Sequence, residues 1–249
     1  MNILLVNDDG IDAPGIITLA KALSPFHNII VVAPDKQQSG ASHAISFHKP
    51  LTYKKQEFCC AITAYSLTGT PADCVKFGLD VICKDIKIDA VISGINDTLN
   101  VGTDICYSGT VNAALEGTVL GIKSIAVSQK CKDGDYSFSS EFVRENLEKF
   151  LSMITNPNTI ISINIPFTQK SDIVGIKVAP VGVNRYLDKY IVKDNGYYLI
   201  GDPITVNNPV HCDVEYVKEG YIVITPLSLQ FTDFSALKML EDRVEELCL

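Results

Sequence analysis

The sequence predicts an α/β fold in which a mostly parallel sheet carries helices on both faces and a β-rich region follows toward the C-terminus. Short apolar runs recur along residues 1–170, and each stops at polar residues or proline. Most of these runs are separated by segments whose apolar residues have helical spacing. Buried strands that alternate with helices are typical of a parallel sheet covered on both faces.

The first strand is predicted at residues 3–6, an apolar run that stops at Asn7-Asp8-Asp9-Gly10. Pro14 suits the first turn of a helix, and the spacing after it predicts a helix over 14–23. Further strands are predicted at 28–33, 51–53, 58–67, 124–127 and 159–165, and another begins at Ile88. Further helices are predicted to begin after Thr70 and after Ser108, and one covers 141–154. No helical pattern separates the strands at 51–53 and 58–67, which therefore form an antiparallel insertion.

From Ser171 onward the pattern becomes β-rich and rich in loops. Strands are predicted at 173–178, 186–192, 197–200 and 221–225, with Asn195-Gly196 as a hairpin turn and a final helix over 236–247. We divide the chain into a catalytic core (1–170), a β-rich extension (171–212) and a return strand with a C-terminal helix (213–249). The extension either clasps a partner subunit or covers the sheet, and the sequence favours neither.

Composition limits the classes of function. The chain has 249 residues, 47% of them hydrophobic, which is enough for one domain with an appendage. It contains no apolar stretch long enough to span a membrane and no signal peptide pattern, so we expect a cytoplasmic protein that does not bind membranes. A net charge of −8 argues against DNA as the main partner. The eight cysteines form no C-x-x-C pair and are expected to be reduced and mostly buried.

Two adjacent carboxylates, Asp8 and Asp9, end the first predicted strand. They would lie at the carboxyl edge of the sheet, where open α/β sheets bind their ligands. Neighbouring like charges repel each other, and a bound cation relieves this repulsion. Oxygen ligands favour Mg²⁺ or Mn²⁺. The alternative is an Asp-rich turn whose side chains bond to their own backbone.

A second polar motif, Ser108-Gly109-Thr110, opens a predicted helix. A helix N-terminus presents free backbone N–H groups, and the two hydroxyls add further donors, which together suit a phosphate group. The alternative is an ordinary N-cap without a ligand. A small phosphorylated substrate is compatible with the acidic composition, because a cation and a helix N-terminus supply positive potential locally.

Six motifs that occur in order resemble the SurE family of acid phosphatases, also called survival protein SurE or 5'/3'-nucleotidase. They are Asn7-Asp8-Asp9-Gly10, Gln38-Ser39-Gly40-Ala41-Ser42-His43, Gly69-Thr70-Pro71-Ala72-Asp73-Cys74-Val75, Ser93-Gly94-Ile95-Asn96, Tyr107-Ser108-Gly109-Thr110-Val111 and Glu219-Gly220-Tyr221-Ile222-Val223-Ile224-Thr225-Pro226-Leu227. The resemblance spans nearly the whole chain. It implies a Rossmann-like three-layer sandwich whose C-terminal β-rich extension forms a homodimer or homotetramer. It also implies hydrolysis of nucleoside monophosphates with one divalent metal ion, Mg²⁺ or Mn²⁺, per subunit.

The resemblance also implies roles for individual residues. The metal ligands fall on Asp8, Asp9, Ser39 and Asn96. The phosphate contacts fall on Asn96, Ser108, Gly109 and Thr110. Carboxylate, hydroxyl and amide oxygens are the hard ligands that such a cation prefers.

Asp8 and Asp9 are the expected catalytic residues. Asp9 is expected to accept a proton from an attacking water. Direct attack by Asp8 on phosphorus, which would form an aspartyl phosphate, stays open. His43 lies four residues after Ser39. It is left out of the catalytic set because a histidine in a loop rich in Ser and Ala is more often structural.

The chain departs from the family pattern in two places. The family usually carries Gly where this chain has Thr98, so the loop 97–103 is expected to take a different backbone. The family's Asp-Pro-Arg-Gly and Tyr-Trp pattern corresponds to Lys193-Asp194-Asn195-Gly196-Tyr197-Tyr198-Leu199, which lacks Arg and Trp. This second departure concerns nucleobase contacts and subunit geometry and leaves the metal site untouched.

Other classes of protein fit less well. A receiver domain needs a phosphorylatable Asp where this chain has Asn96, and it would be about half as long. A haloacid-dehalogenase-like phosphatase needs D-x-D after the first strand, and a nicotinamide dehydrogenase needs a G-x-G-x-x-G turn there. Neither pattern follows the first strand. A non-enzymatic, nucleotide-binding regulatory protein that uses the same pocket remains as the alternative function.

Overall fold

The computed structural model describes residues 1–131, 133–167 and 169–244. The strands are β1 (Asn2–Val6), β2 (Asn28–Pro34), β3 (Tyr53–Gln56), β4 (Thr63–Leu67), β5 (Ala90–Asn96), β6 (Ser124–Gln129), β7 (Thr159–Ile165), β8 (Gly175–Val178), β9 (Arg185–Lys193), β10 (Gly196–Ile204) and β11 (Tyr221–Ser228). The α-helices are α1 (Pro14–Leu23), α2 (Pro71–Phe77), α3 (Gly109–Val119), α4 (Ser137–Met153), α5 (Asp213–Lys218) and α6 (Phe234–Glu241). A π-helical turn over Gly78–Ile82 continues α2.

Within these described ranges, nine strands form one sheet in the order β3-β4-β2-β1-β5-β6-β7-β11-β8. The strands from β4 to β7 run parallel, and β3 and β11 are antiparallel to their neighbours β4 and β7. The sheet and its helices confirm the predicted α/β three-layer fold. Strand order reverses between β1 and β5, so a crevice opens at the carboxyl ends of these two strands.

Strand β1 is buried on both faces, which explains its unbroken apolar sequence. Ile3 and Leu5 point into a core shared with α1 and α4. Leu4 and Val6 point into a second core on the opposite face, shared with α2 and α3. All four side chains have 0% exposure. Their burial anchors the strand that carries the two aspartates.

The edge of the sheet beyond β2 differs from the prediction. The apolar stretch 58–67 forms a strand only over Thr63–Leu67, and this strand runs parallel to β2. Only β3 is antiparallel, and it lies on the outer edge. Phe58 and Cys60 instead pack against the core from a loop. These two residues are therefore apolar because they pack against the core, and not because they belong to a strand.

The bounds of two helices and the position of one hairpin turn also differ from the prediction. Helix α4 begins at Ser137, because the carboxylate of Asp135 accepts the Ser137 N–H at 2.9 Å and starts the helix earlier than residue 141. Helix α6 covers Phe234–Glu241, and residues 245–247 of the predicted helix lie outside the described ranges. The hairpin turn is centred on Asp194 and Asn195, one residue before the predicted position. Both have positive φ, as a two-residue hairpin turn requires.

The region after residue 170 contributes to two sheets. β8 pairs with β11 in the central sheet, whereas β9 and β10 form a separate hairpin. Every residue of β9 is exposed. The division at residues 171 and 213 stays a prediction.

Two further findings concern membrane-spanning helices and the burial of the cysteines among the described residues. No helix in the part of the chain that the structure describes is long and apolar enough to cross a membrane. The cysteines are less uniformly buried than predicted. Cys74, Cys83 and Cys212 are buried free thiols, whereas Cys59 and Cys106 are exposed.

Gly94 is expected to be irreplaceable for packing β5 against β6. Its φ is +132°, and a Cβ added there would lie 2.3 Å from the carbonyl oxygen of Val127. We expect Gly94→Ala to lower the free energy of unfolding by ~3 kcal/mol, because strained backbone and clash combine. In a chain of this size the unfolding temperature should fall by about 6–12 °C.

Gly121→Ala is the matched control for this prediction. Gly121 also has a positive φ, +81°, but a Cβ there meets no atom within 4 Å. Its cost should be backbone strain alone, ~1 kcal/mol. Equal losses in the two variants would contradict a specific close approach between β5 and β6.

Candidate metal and phosphate site

The predicted site lies at the carboxyl ends of β1 and β5, in the crevice where strand order reverses. Asp8 and Asp9 follow β1, and Asn96 is the last residue of β5. The pairing of β5 with β6 shifts register between Ser93 and Asn96. Such a bulge bends a strand and changes the direction of the side chains after it. The structure therefore brings these three predicted ligands to one edge of the sheet.

Asp8 packs against the N-terminus of α3 and is 4% exposed. The Thr110 hydroxyl donates to Asp8 Oδ1 at 2.5 Å. A Cβ on Gly109 would lie 2.8 Å from the Asp8 Cβ, so only glycine permits this approach. Burial raises the pKa of Asp8, although the hydrogen bond from Thr110 opposes the shift. The helix therefore positions the Asp8 carboxylate but compensates only part of its negative charge.

Asp9 is half-buried beside Asp8. Burial is the largest cause that raises the pKa of Asp9, to about 7, and the negative charges of Asp8 and Asp97 add to it. Hydrogen bonds from the Asp97 backbone and the Gln37 side chain act in the opposite direction. Two carboxylates with raised pKa values at one strand end form a site that gains from a bound cation.

The other two predicted ligands differ in burial. Asn96 is 6% exposed, and its Nδ2 donates to the carbonyl oxygen of Thr98 at 2.8 Å and to its Oγ1 at 3.1 Å. These bonds orient the amide and leave Oδ1 for another partner. Thr98, the residue that departs from the family pattern, therefore holds a predicted ligand. Ser39 is exposed, but the N–H of its neighbour Gln38 donates to the Asp8 carbonyl oxygen at 2.7 Å.

The predicted phosphate contacts lie beside Asp8. Ser108 is the N-cap of α3, and its Oγ accepts the Val111 N–H at 3.1 Å. A hydroxyl that accepts in this way still has its own O–H to donate. Thr110 is fully buried, and its hydroxyl is bonded to Asp8. A phosphate role for Ser108, Gly109 and Thr110 stays a prediction.

Sequence reasoning missed Asp97 and Tyr136. Both line a cavity of about 440 Å³ beside Asp9, together with Lys36 and Gln37. Asp97 directly follows Asn96, and that adjacency was the available signal. Tyr136 comes from the residue before α4, and nothing local in its sequence indicates the site. Burial raises the pKa of the Tyr136 phenol.

The donor set fits a hard divalent cation. Among the residues that the structure describes, no group of three or more His, Cys, Asp or Glu side chains could hold a metal ion. Two carboxylates, an amide oxygen and a hydroxyl suit Mg²⁺ or Mn²⁺, which keep several water ligands. A larger cavity, about 780 Å³, lies beside α2 and is lined by other residues.

The metal-free protein is expected to lose stability as the pH rises from about 4 to about 7, and Asp9→Asn should reduce this loss. The pKa of Asp9 is about 7 in the folded chain, against about 4 in an unfolded chain. The folded state therefore binds more protons in this window, and the free energy of unfolding falls as the pH rises. At pH 8 in EDTA, Asp9→Asn should raise the unfolding temperature by about 2–4 °C, or ~1 kcal/mol.

Asp188→Asn makes the same chemical change on the exposed strand β9. It should change the free energy of unfolding by no more than about 0.5 kcal/mol, because surface substitutions away from specific contacts cost little. Unfolding temperatures at pH 5 and pH 8 test both variants. An Asp9→Asn protein with the full pH dependence of the parent would remove Asp9 as its source.

Comparison with known proteins places the chain in a family. The family model described as survival protein SurE matches residues 3–188. The 5'-nucleotidase SurE of Clostridium beijerinckii is 43% identical over 249 residues, which cover 95% of this chain and 96% of the relative. That of Pseudothermotoga lettingae is 40% identical over 248 residues, covering 97% and 94%. The crystal structure of the SurE protein from Aquifex aeolicus, 35% identical, matches with a TM-score of 0.83 over 99% of this chain and 100% of that chain. The chain therefore belongs to the SurE family.

Proposed function

We propose that this protein is a metal-dependent phosphomonoesterase, a 5'/3'-nucleotidase that hydrolyses nucleoside 5'- and 3'-monophosphates to nucleoside and phosphate. The observation that carries the proposal is the packing of buried Asp8, beside Asp9, against the N-terminus of α3. This packing brings a predicted metal ligand into contact with the predicted phosphate contacts Gly109 and Thr110. Relatives about 40% identical over nearly the whole chain are named 5'-nucleotidase SurE.

One divalent ion per subunit, Mg²⁺ or Mn²⁺, would be held by Asp8, Asp9, Ser39 and Asn96. When bound, such an ion neutralises charge on the phosphate and lowers the pKa of water, which supplies a nucleophile near neutral pH. The oxygen-only donor set and the raised pKa values of both aspartates support this assignment.

The protein's own groups would divide the remaining work. Asp9, partly accessible at the cavity, accepts the proton of the attacking water. The Ser108 hydroxyl and the Gly109 N–H donate to the phosphoryl oxygens, and Asn96, at the end of β5, is a further predicted phosphate contact. The Thr110 hydroxyl donates to Asp8, so it would support phosphate binding by holding that carboxylate beside the helix turn. Positioning and electrostatic stabilisation of this kind dominate phosphoryl transfer.

We propose water, not Asp8, as the nucleophile. Asp8 Oδ1 already accepts the Thr110 hydrogen bond, and the carboxylate is a proposed ligand of the divalent ion. The non-enzymatic alternative, a nucleotide-binding regulatory protein, is not favoured, because the relatives are named as enzymes.

Phosphate release from a panel of 5'- and 3'-nucleoside monophosphates tests the proposed function. We expect release to stop in EDTA and to return when Mn²⁺ or Mg²⁺ is restored. Asp8→Asn should lower metal-dependent release by at least ~100-fold, since it removes a charged ligand from the reacting centre. The same panel ranks base and ribose-position preference.

Asp12→Asn is the matched control, because Asp12 is an exposed carboxylate that lines the cavity beside Asp9. It should retain most of the activity, and circular dichroism should show both variants folded. Phosphate release that persists in EDTA would contradict the metal requirement. Full activity in Asp8→Asn would contradict the paired-carboxylate site.

We also propose that the protein acts in the cytoplasm as a homodimer or homotetramer, with the extension and the C-terminal helix as contacts. Cross-strand partners in the β9–β10 hairpin place four apolar side chains on one face, all exposed by half or more: Tyr190, Val192, Tyr197 and Leu199. Helix α6 adds further exposed apolar residues, among them Phe234 and Leu240. Large exposed apolar patches mark interaction surfaces.

Light scattering on a sizing column tests the assembly. We expect a mass that is a multiple of the 27.2 kDa chain. Tyr190→Lys together with Leu199→Glu should shift the mass toward one chain, because charges in a desolvated interface are costly. Lys189→Glu, on the opposite face of the hairpin, is the control. A parent protein of 27.2 kDa would rule out the assembly.

A further inference from the structure

A buried carboxylate on α3, away from the predicted ligands, is bonded to two basic side chains. Glu116 is 4% exposed. Its Oε1 lies 2.7 Å from Lys76 Nζ, and its Oε2 lies 2.8 Å from His43 Nε2. These contacts keep the pKa of Glu116 below its usual value despite burial, and the hydrogen bond with His43 has the largest effect. The carboxylate is therefore charged and has one partner on each oxygen.

The two partners differ in what they attach to α3. Lys76 lies on α2, which already packs against α3, so its contact joins two helices. His43 comes from the loop after β2, which has no helix or strand around residues 38–46. It lies four residues after Ser39, the predicted metal ligand. The contact of His43 ties this loop to Glu116 on α3.

The segment 38–43 is attached at both ends to elements that carry the site. At one end the Gln38 N–H donates to the Asp8 carbonyl oxygen at 2.7 Å. At the other end the Ser42 hydroxyl donates to the Cys106 carbonyl oxygen at 2.7 Å, and the Ser42 N–H donates to the Tyr107 carbonyl oxygen at 3.1 Å. Next to this second attachment, His43 reaches Glu116. Ser39 lies exposed between the two ends.

We propose that His43 is a positioning residue for the metal site, and that its bond to Glu116 holds the segment 38–43 so that Ser39 lies beside the aspartates. The inference rests on the proposed function, because it takes Ser39 as a ligand of the divalent ion. A neutral hydroxyl is a weak ligand and cannot order an exposed loop by itself. A loop held in place beforehand loses less conformational entropy when the ion binds, so affinity rises.

Titration of the full-length, metal-free protein with Mn²⁺ in a calorimeter tests the proposal. His43→Ala should weaken Mn²⁺ binding by about 10–100-fold, as loss of an outer contact to a ligand does elsewhere. His43→Gln should restore affinity to within about 3-fold of the parent, because its amide nitrogen donates from nearly the same position. His43→Asn, which is polar but too short for Glu116, should behave like His43→Ala.

Lys76→Met is the matched control. It removes the other partner of Glu116 and should lower the unfolding temperature, but it does not touch the loop. Mn²⁺ affinity should therefore stay within about 3-fold of the parent. Hydrogen exchange gives a second readout. Amides of residues 38–44 should exchange faster in His43→Ala and not in Lys76→Met, whereas amides of β1 should be unchanged in both.

The outcomes separate the two proposals. A parent protein that binds no Mn²⁺ would overturn the metal-dependent function, and this inference with it. Normal Mn²⁺ affinity in both His43→Ala and His43→Asn would overturn only the role of His43. An equal loss of affinity in Lys76→Met would show that Glu116 acts by stabilising the contact between α2 and α3, and that would also overturn it.

Discussion

The structure of the site depends on the burial of the Asp8 carboxylate against the first turn of α3. This contact needs a residue without a side chain at Gly109, and it needs a donor at Thr110. The helix supplies partial positive charge but not a full counter-ion, so the carboxylate and its neighbour Asp9 remain undercompensated. A site of this kind is stable enough to fold and still gains from a cation. The same helix turn is then available to an anion that the cation attracts.

The sheet makes this contact reproducible. Strand β1 is buried on both faces and lies between β2 and β5 at the point where strand order reverses. Its end therefore cannot move without disturbing two cores. Strand β5 reaches the same edge, and its register against β6 shifts before Asn96, its last residue. The predicted ligands that lie at the ends of these two central strands are thus held in place by packing.

The periphery is held differently. Ser39 lies on a loop that depends on individual hydrogen bonds and on the bond between His43 and Glu116. The β9–β10 hairpin is exposed along its length, and its base is tied to the segment before α3 by the Tyr186 hydroxyl, which donates to Asp104 at 2.7 Å. Regions held by few contacts open more readily than the core. One half of the site is therefore rigid, because it is built on strands. The other half is held in place by contacts outside the sheet.

Local patterns in the sequence determined the parts that obey local rules. The strand before Asp8, the helix that begins at Pro14 and the cap at Ser108 follow from apolar period, the fixed φ of proline and the chemistry of an N-cap. Ordered motifs added the family and its expected ligands. The bond between Thr110 and Asp8 joins residues 102 positions apart, and that between His43 and Glu116 joins residues 73 apart. No local period records such contacts, and the same holds for Tyr136 beside Asp9. They exist only because the sheet order and helix packing bring distant segments together, and so only the tertiary structure could decide them.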